Sequence, residues 1–323
     1  MSALGASLSP SQSPPGRRTG ASPSWRLSDR IGLGFAWLLG LLFCAIAASI
    51  VLYFLIEGIQ YLRPSLLVTN PTASVNESQT GGFLDPLLGT VIVALMAMAV
   101  AIPTGIGIAV WLSEFGRPSA LARVTESCIE MLAGTPSVVL ALFGTIWFEA
   151  PALGFLSQTS RGIVLGQSFF AASAMLSLVG LPMVVATVRE GLQVIPSHVR
   201  EASYAVGKTK IATTRRVLLP AARPSLITGS MLGLGRVIGD TAVVLLLLGG
   251  TLTFSNANST PVLGTLRGTG DTLTGYIYYN APTGDGNQPS KAYAAAFVLM
   301  LIVLALNLGV DFALRRSRAR LWN

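Results

Sequence analysis

From residue 31 onward the chain alternates long apolar runs with shorter polar segments. Windows of about 20 apolar residues, the length a helix needs to cross a hydrocarbon core, fall near 31–56, 88–112, 127–148, 162–187, 224–249 and 292–313. Six such runs predict an all-α membrane protein, because a chain in lipid must satisfy its own backbone polar groups and a helix does so locally. Residues 1–29 lack this pattern. Ser, Pro and Gly dominate there, with Arg17, Arg18 and Arg26 among them, which predicts a flexible basic tail ahead of one transmembrane domain over 30–323. The tail and first run also have the layout of a secretory leader, with Ala45-Ile46-Ala47 as a cleavage-like site. That run continues to Ile56, long enough to span, and is read as a retained helix.

Composition agrees: 51% of residues are hydrophobic and 11% charged, against about 25% charged in soluble domains, and the mean hydropathy is +0.63. The formal charge of +8 could point to nucleic acid. In a membrane chain, however, the position of the cations matters more than their sum, since they gather on the cytoplasmic side. One side carries Arg17, Arg18, Arg26 and Arg30, then Arg117 and Arg123. It also carries the cluster Arg189, Arg200, Lys208, Lys210, Arg215, Arg216 and Arg223, and finally Arg315, Arg316, Arg318 and Arg320. The other side has Arg63, Arg161, Arg267 and Lys291, and Arg236 lies within a run. This predicts both termini in the cytoplasm, a cytoplasmic loop over 188–223 and extracytoplasmic loops over 57–87 and 250–291. The second outer loop holds Tyr276, Tyr278 and Tyr279, suited to a cap or to membrane-surface anchoring. Asn76-Glu77-Ser78 and Asn258-Ser259-Thr260 match the glycosylation pattern, which carries no meaning in a bacterial cell. Cys44 and Cys128 lie in apolar runs and read as small buried hydrophobes. His198 has no neighbouring His or Cys with which to share a metal.

Residues 201–209, EASYAVGKT, fit the looser form of a phosphate-binding loop: Ala202, four residues, then Gly207-Lys208-Thr209. Such a loop must follow a buried strand. Here Val188, Leu192, Ile195, Val199, Ala202 and Val206 recur in helical steps of three and four, and Pro196 divides them into two pieces. The segment is also too short to be a nucleotide-binding domain. The match is therefore read as accidental.

The same stretch runs Glu201-Ala202-Ser203, three residues, Gly207, nine residues, then Val217-Leu218-Leu219-Pro220. It resembles the signature of ABC importer membrane subunits, E-A-A-x3-G-x9-I-x-L-P, with Ser203 and Val217 as departures. Gly207 supplies the backbone freedom for a bend, and small residues at 202 and 203 allow close approach. In that family the element docks on a separate ATPase. The resemblance thus implies that Glu201, Ala202, Ser203, Gly207, Leu219 and Pro220 couple to one. Over 80–313 the chain resembles A-type membrane subunits of phosphate ABC importers. The likeness is carried by GGFLDPLLGT (81–90), IEMLAGTPSVVLALFG (129–144), LPMVVATVREGL (181–192), GRVIGDTA (235–242), and TLTGYIY followed by KAYAAAFVL. It implies a type I importer permease fold in a bacterial inner membrane, with no cofactor bound by this chain and ATP-Mg in a partner ATPase. The implied assembly has a C-type permease subunit, two ATP-binding subunits and an extracytoplasmic phosphate-binding protein.

Arg236 and Asp240 stand four apart in the fifth run, so a helix puts them on one face. A charge near the bilayer centre is costly and calls for a partner and a place in the bundle interior. Gly229, Gly233, Gly235 and Gly239 would let helices approach closely there. Arg236 is the candidate to meet a passing oxyanion with its planar donors, and Asp240 to neutralise it when the path is empty. A purely structural ion pair is the competing reading. The family usually has Glu at 240. Thr135 and Ser137, beside Pro136, are further candidates to line the path. A transport subunit for another oxyanion, or a self-sufficient secondary transporter or channel, are the alternatives. Enzymatic chemistry finds no cluster to support it: Glu126 and Glu130 lie one turn apart but nothing joins them, and they read as helix braces.

Overall fold

The computed structural model describes residues 27–71, 81–116, 118–160, 163–250, 261–282 and 289–319. The predicted tail before residue 27, both Asn-x-Ser/Thr patterns, and residues 251–260 and 283–288 of the second outer loop lie outside them. The chain divides into two units, residues 1–52 and 53–323. The described part of the first is the opening of helix α1 (Leu27–Tyr61). Its apolar side chains, Phe35, Trp37, Leu41 and Phe43 among them, are exposed, as suits a helix whose solvent is hydrocarbon.

The second unit continues with α2 (Pro64–Val68), α3 (Leu84–Val110), α4 (Ala120–Gly134) and α5 (Ser137–Phe148). A two-residue hairpin, β1 (Thr159–Ser160) and β2 (Ile163–Val164), pairs Thr159 with Val164 and Ser160 with Ile163. After it come α6 (Phe169–Gln193), α7 (Ser197–Ala205), α8 (Lys210–Thr213), α9 (Leu219–Ala221), α10 (Arg223–Ile238) and α11 (Ala242–Leu247). The last elements are α12 (Pro261–Arg267), α13 (Leu273–Asn280) and α14 (Pro289–Ala319). π-helical turns extend α3 over Trp111–Phe115 and α8 over Thr214–Leu218.

Helix α6 is the centre of this unit. It packs mainly on α3 and α10, and also touches α4, α5 and α11. A helix apolar on every side belongs inside a bundle, and 72% of the most apolar window of α6 is buried. Two glycines set its approach to α10. A Cβ on Gly180 would meet Val237 Cγ2 at 2.9 Å, and one on Gly233 would meet Val184 Cγ2 at 2.9 Å and the Gly180 carbonyl at 3.3 Å.

Four helices are long and apolar enough to cross a membrane unbroken, and the count reaches six if each of two bent pairs is one span: α4 with α5, and the stretch Lys210–Ala221 with α10, which bend by 71° at their junction. The sequence reading treats 127–148 and 224–249 as continuous. The first instead bends by 106° between α4 and α5. Pro136 has no N–H to continue the ladder and holds Thr135 extended (ψ 128°). The second stops at Ile238 and resumes at Ala242. The fourth span begins at Phe169 rather than near 162. Gly166 turns the chain at φ +68°, and the Ser168 hydroxyl caps α6 by accepting the Ala171 N–H at 3.0 Å. The cysteines depart from expectation too: Cys44 and Cys128 are exposed, because each lies on an outward apolar face.

The α6–α10 crossing can be tested directly. Gly233→Leu should destabilise the protein by about 1–3 kcal/mol through overpacking, read as a lower midpoint of thermal unfolding in detergent. Gly235→Leu, where a side chain would meet open space, should leave that midpoint near wild type.

Candidate substrate path and coupling site

The break in the fifth span is built around Asp240. Helix α10 closes with the Gly239 N–H on the Gly235 carbonyl at 3.1 Å. The carbonyl of Ile238 accepts the Thr274 hydroxyl of α13 at 3.4 Å. Asp240 Oδ1 accepts the Val243 N–H at 2.9 Å and so caps α11. Its Oδ2 lies 3.8 Å from Arg236 Nη1. That separation makes an ion pair but is too long for a hydrogen bond, so the guanidinium donors are not consumed by the carboxylate. Asp240 is buried, whereas the Arg236 side chain is 45% exposed, on the flank of α10 and not within the chain's own core. Of the four predicted glycines, Gly229 and Gly233 lie against α6, while Gly235 faces open space and Gly239 meets only the Gly235 carbonyl of its own helix. Thr135 and Ser137 flank the other bend. The Thr135 hydroxyl returns to the Met131 carbonyl at 2.7 Å, and among the described residues neither bonds to Arg236 or Asp240.

The element between α6 and α10 holds α7, then α8 with its π turn and α9; Pro196 precedes α7 and Gly207 separates α7 from α8, where the sequence reading places the division and the bend. Gly207 takes φ +78°. Its N–H donates to the Tyr204 carbonyl at 2.9 Å and the Lys208 N–H to the Ser203 carbonyl at 3.2 Å. The Thr209 hydroxyl caps α8 by accepting the Ala212 N–H at 3.3 Å. The donors that would cradle a phosphate are thus engaged in ending one helix and starting the next, and helix α7, not a strand, precedes them. Ser203 is buried, with its hydroxyl 2.9 Å from that of Thr213, locking α7 to α8. Glu201, Ala202 and Gly207 are exposed, and Leu219 and Pro220 half-buried.

A further anchor went unnoticed in the sequence. Arg200 donates through Nη2 and Nε to Glu114 Oε1, at 2.8 and 3.1 Å. It also reaches the carbonyls of Ile195 at 2.7 Å and Leu192 at 2.9 Å. Glu114, in the π turn after α3, is buried, with only 5% of its side chain exposed. Lys210 lies over the Phe115 ring at 5.1 Å, and Arg189 pairs with Glu126 of α4. One arginine therefore ties α7 to the ends of both α3 and α6. Nothing in spacing links residues 86 positions apart. The available hint is that Glu114 is an acid closing an otherwise apolar run.

Residues 101–323 match the family model described as binding-protein-dependent transport system inner membrane component. The chain belongs to that family. It is therefore a multi-pass membrane component of a binding-protein-dependent transport system. It is 34% identical over 246 residues to phosphate transport system permease protein PstA 1 of Mycobacterium tuberculosis, a match covering 75% of this chain and 73% of that one. It is 30% identical to phosphate transport system permease protein PstC of Xylella fastidiosa, covering 69% of each. Among solved structures it is similar in fold to the MetNI methionine ABC transporter in an inward-facing conformation, with TM-score 0.55, 19% identity, and 72% of this chain and 95% of that one covered. A bacterial alginate ABC transporter in complex with its periplasmic protein gives TM-score 0.59, 16% identity, and 89% and 96% covered.

In this permease a second acid lies near the break. Asp271 is fully buried between the Gly249–Gly270 bridge and α13. Its Oδ1 accepts the Thr272 N–H at 2.7 Å, and its Oδ2 has no hydrogen-bond partner among the described residues. Burial raises its pKa from 3.8 to about 7, against the lowering effect of the Thr272 bond.

The two acids give separate predictions. For Asp271 the folded pKa lies above the unfolded one. Its contribution is therefore fully present below about pH 4 and is lost as pH rises towards 7, where the native state binds the extra proton. Thermal stability in detergent should fall across that window, and Asp271→Asn should flatten the profile. For Glu114, Arg200→Ala and Glu114→Ala should each cost about 3–5 kcal/mol by stranding a partly buried charge. Their double variant should cost clearly less than the sum, read as a coupling energy in a thermal or denaturant cycle.

Proposed function

We propose that this chain is the A-type permease subunit of an ATP-driven importer of inorganic phosphate, and that Arg236 meets the anion during passage. The observation that carries the reading is the break in the fifth span, where a guanidinium stands half-exposed beside a buried carboxylate that pairs with it without hydrogen-bonding it. An oxyanion can take the planar donors bidentately, while Asp240 keeps the site neutral between passages and disfavours retention of the anion. The relatives named as phosphate permeases supply the cargo. Thr135 and Ser137 at the second bend would line the same path.

In this reading both termini are cytoplasmic, and the second permease chain is of the C type. Of two ATP-binding subunits in the assembly, one grips the exposed residues Glu201, Ala202 and Gly207, with Ser203, Leu219 and Pro220 beneath them. A phosphate-binding protein delivers the anion from outside. ATP-Mg is held by the ATPase subunits and no cofactor by this chain.

The test is radiolabelled phosphate uptake into proteoliposomes of the reconstituted complex. Arg236→Lys should lower uptake at least about tenfold, the cost of a charge-assisted bidentate contact, while subunit stoichiometry stays intact. Asp240→Asn keeps an acceptor for the Val243 N–H, so it should assemble and yet transport poorly. Normal uptake by assembled Arg236→Lys removes the substrate role. Uptake that persists with no ATPase subunit present replaces the importer by a secondary transporter.

A further inference from the structure

At the end of α3 remote from Glu114, a polar cleft of about 130 Å³ opens where α1 ends and α14 begins. Gln60, Tyr61, Arg63, Ser65, Ser290 and Lys291 line it. Lys291 is buried at 6% exposure and also engaged within the chain, so its position is held, while Arg63 is exposed on the rim. Two cations, two serine hydroxyls, a phenol and a carboxamide thus converge, with no carboxylate among the described lining residues. That donor-rich set fits a phosphate group, whose oxygens are acceptors, and the volume holds such a group with a few waters at about 30 Å³ each.

The depth of the cleft points to the source of the phosphate. Two spans, Ile31–Tyr61 and Pro289–Phe312, terminate at it, so it sits where hydrocarbon gives way to headgroups. Below it the same two helices touch: Gly58 is buried, and a Cβ there would come within 3.0 Å of the Tyr293 carbonyl. Their rings cluster, with Tyr53 and Tyr293 edge to face at 5.8 Å, hydroxyls 3.3 Å apart, and Phe54 against Tyr293 at 6.2 Å. Aromatic rings below a cationic cleft suit an amphiphile with a charged head and apolar tails. We propose that this cleft binds a phosphate group, resident as the phosphodiester of an anionic lipid headgroup, and so pins the α1–α14 corner to the membrane surface.

The experiment uses the assembled transporter in two kinds of nanodisc, one of mixed phosphatidylcholine and phosphatidylglycerol and one of phosphatidylcholine alone. Phosphatidylglycerol retained after exchange into detergent is measured by mass spectrometry in wild type, Arg63→Gln and Arg63→Gln/Lys291→Gln. Retention should fall roughly fivefold with the first change and roughly thirtyfold with both, the size expected of one cation each against a phosphate at headgroup depth. Arg63 is exposed, so the single variant keeps the proposal testable should the double one fail to fold. In phosphatidylcholine discs, binding of radiolabelled inorganic phosphate that is lost in the variants would make the free anion the occupant of the same site. Unchanged values in both arms overturn the proposal. Weaker capture of the binding protein with both phosphate readouts unchanged also overturns it, in favour of a protein-docking surface.

Discussion

A helix that stops inside a bundle leaves carbonyls without partners, and in hydrocarbon no water can satisfy them. The fifth span of this permease stops that way at Ile238, and much around it answers that single constraint. Thr274 reaches across from α13 to the Ile238 carbonyl. Asp240 gives the next helix its first acceptor. The Thr90 hydroxyl of α3 accepts the Leu273 N–H at 2.9 Å and donates to the Pro86 carbonyl at 2.8 Å, so that α13 is held in turn. Asp240 is thus part of the repair of a broken backbone as well as the ion-pair partner of Arg236. Asp240 could not be exchanged for an apolar residue without undoing the α11 cap.

The features that repeat along the sequence were the legible ones. Apolar windows located the four unbroken spans and the bent α4–α5 pair, and steps of three and four marked the end of α6 and α7 as helical. Gly207 stands at the predicted bend because only a positive φ lets the chain turn there between two helices. The breaks were harder to see. Hydropathy is blind to them, since a bent pair and a straight span have the same composition. Pro136 ends its helix, yet in the sequence it reads only as a neighbour of candidate path residues. Gly239 has the spacing of a packing glycine and instead terminates α10. Tertiary pairings were the least visible, as Glu114 and Arg200 show. Their attraction depends on two distant helix ends being brought together, and no local pattern encodes that.

Around α6 the core sets small residues such as Ala97, Ala101 and Gly180 among Met98, Leu176 and Leu192 at close contact, and such dense interiors transmit strain. The element at 197–221 connects to that core by two routes. One is covalent: the π turn at Thr214–Leu218 runs through α9 into α10, and α10, 16 residues or roughly 24 Å long, ends at the Arg236–Asp240 break. The other is the arginine fork from α7 to α3, a helix that with its π turn covers 32 residues or roughly 48 Å and carries Thr90 near its far end. Both routes arrive at the same place, because Thr90 holds α13 and α13 holds the end of α10. The exposed face of α7 is thus joined, once through α10 and once through α3, to both supports of the break.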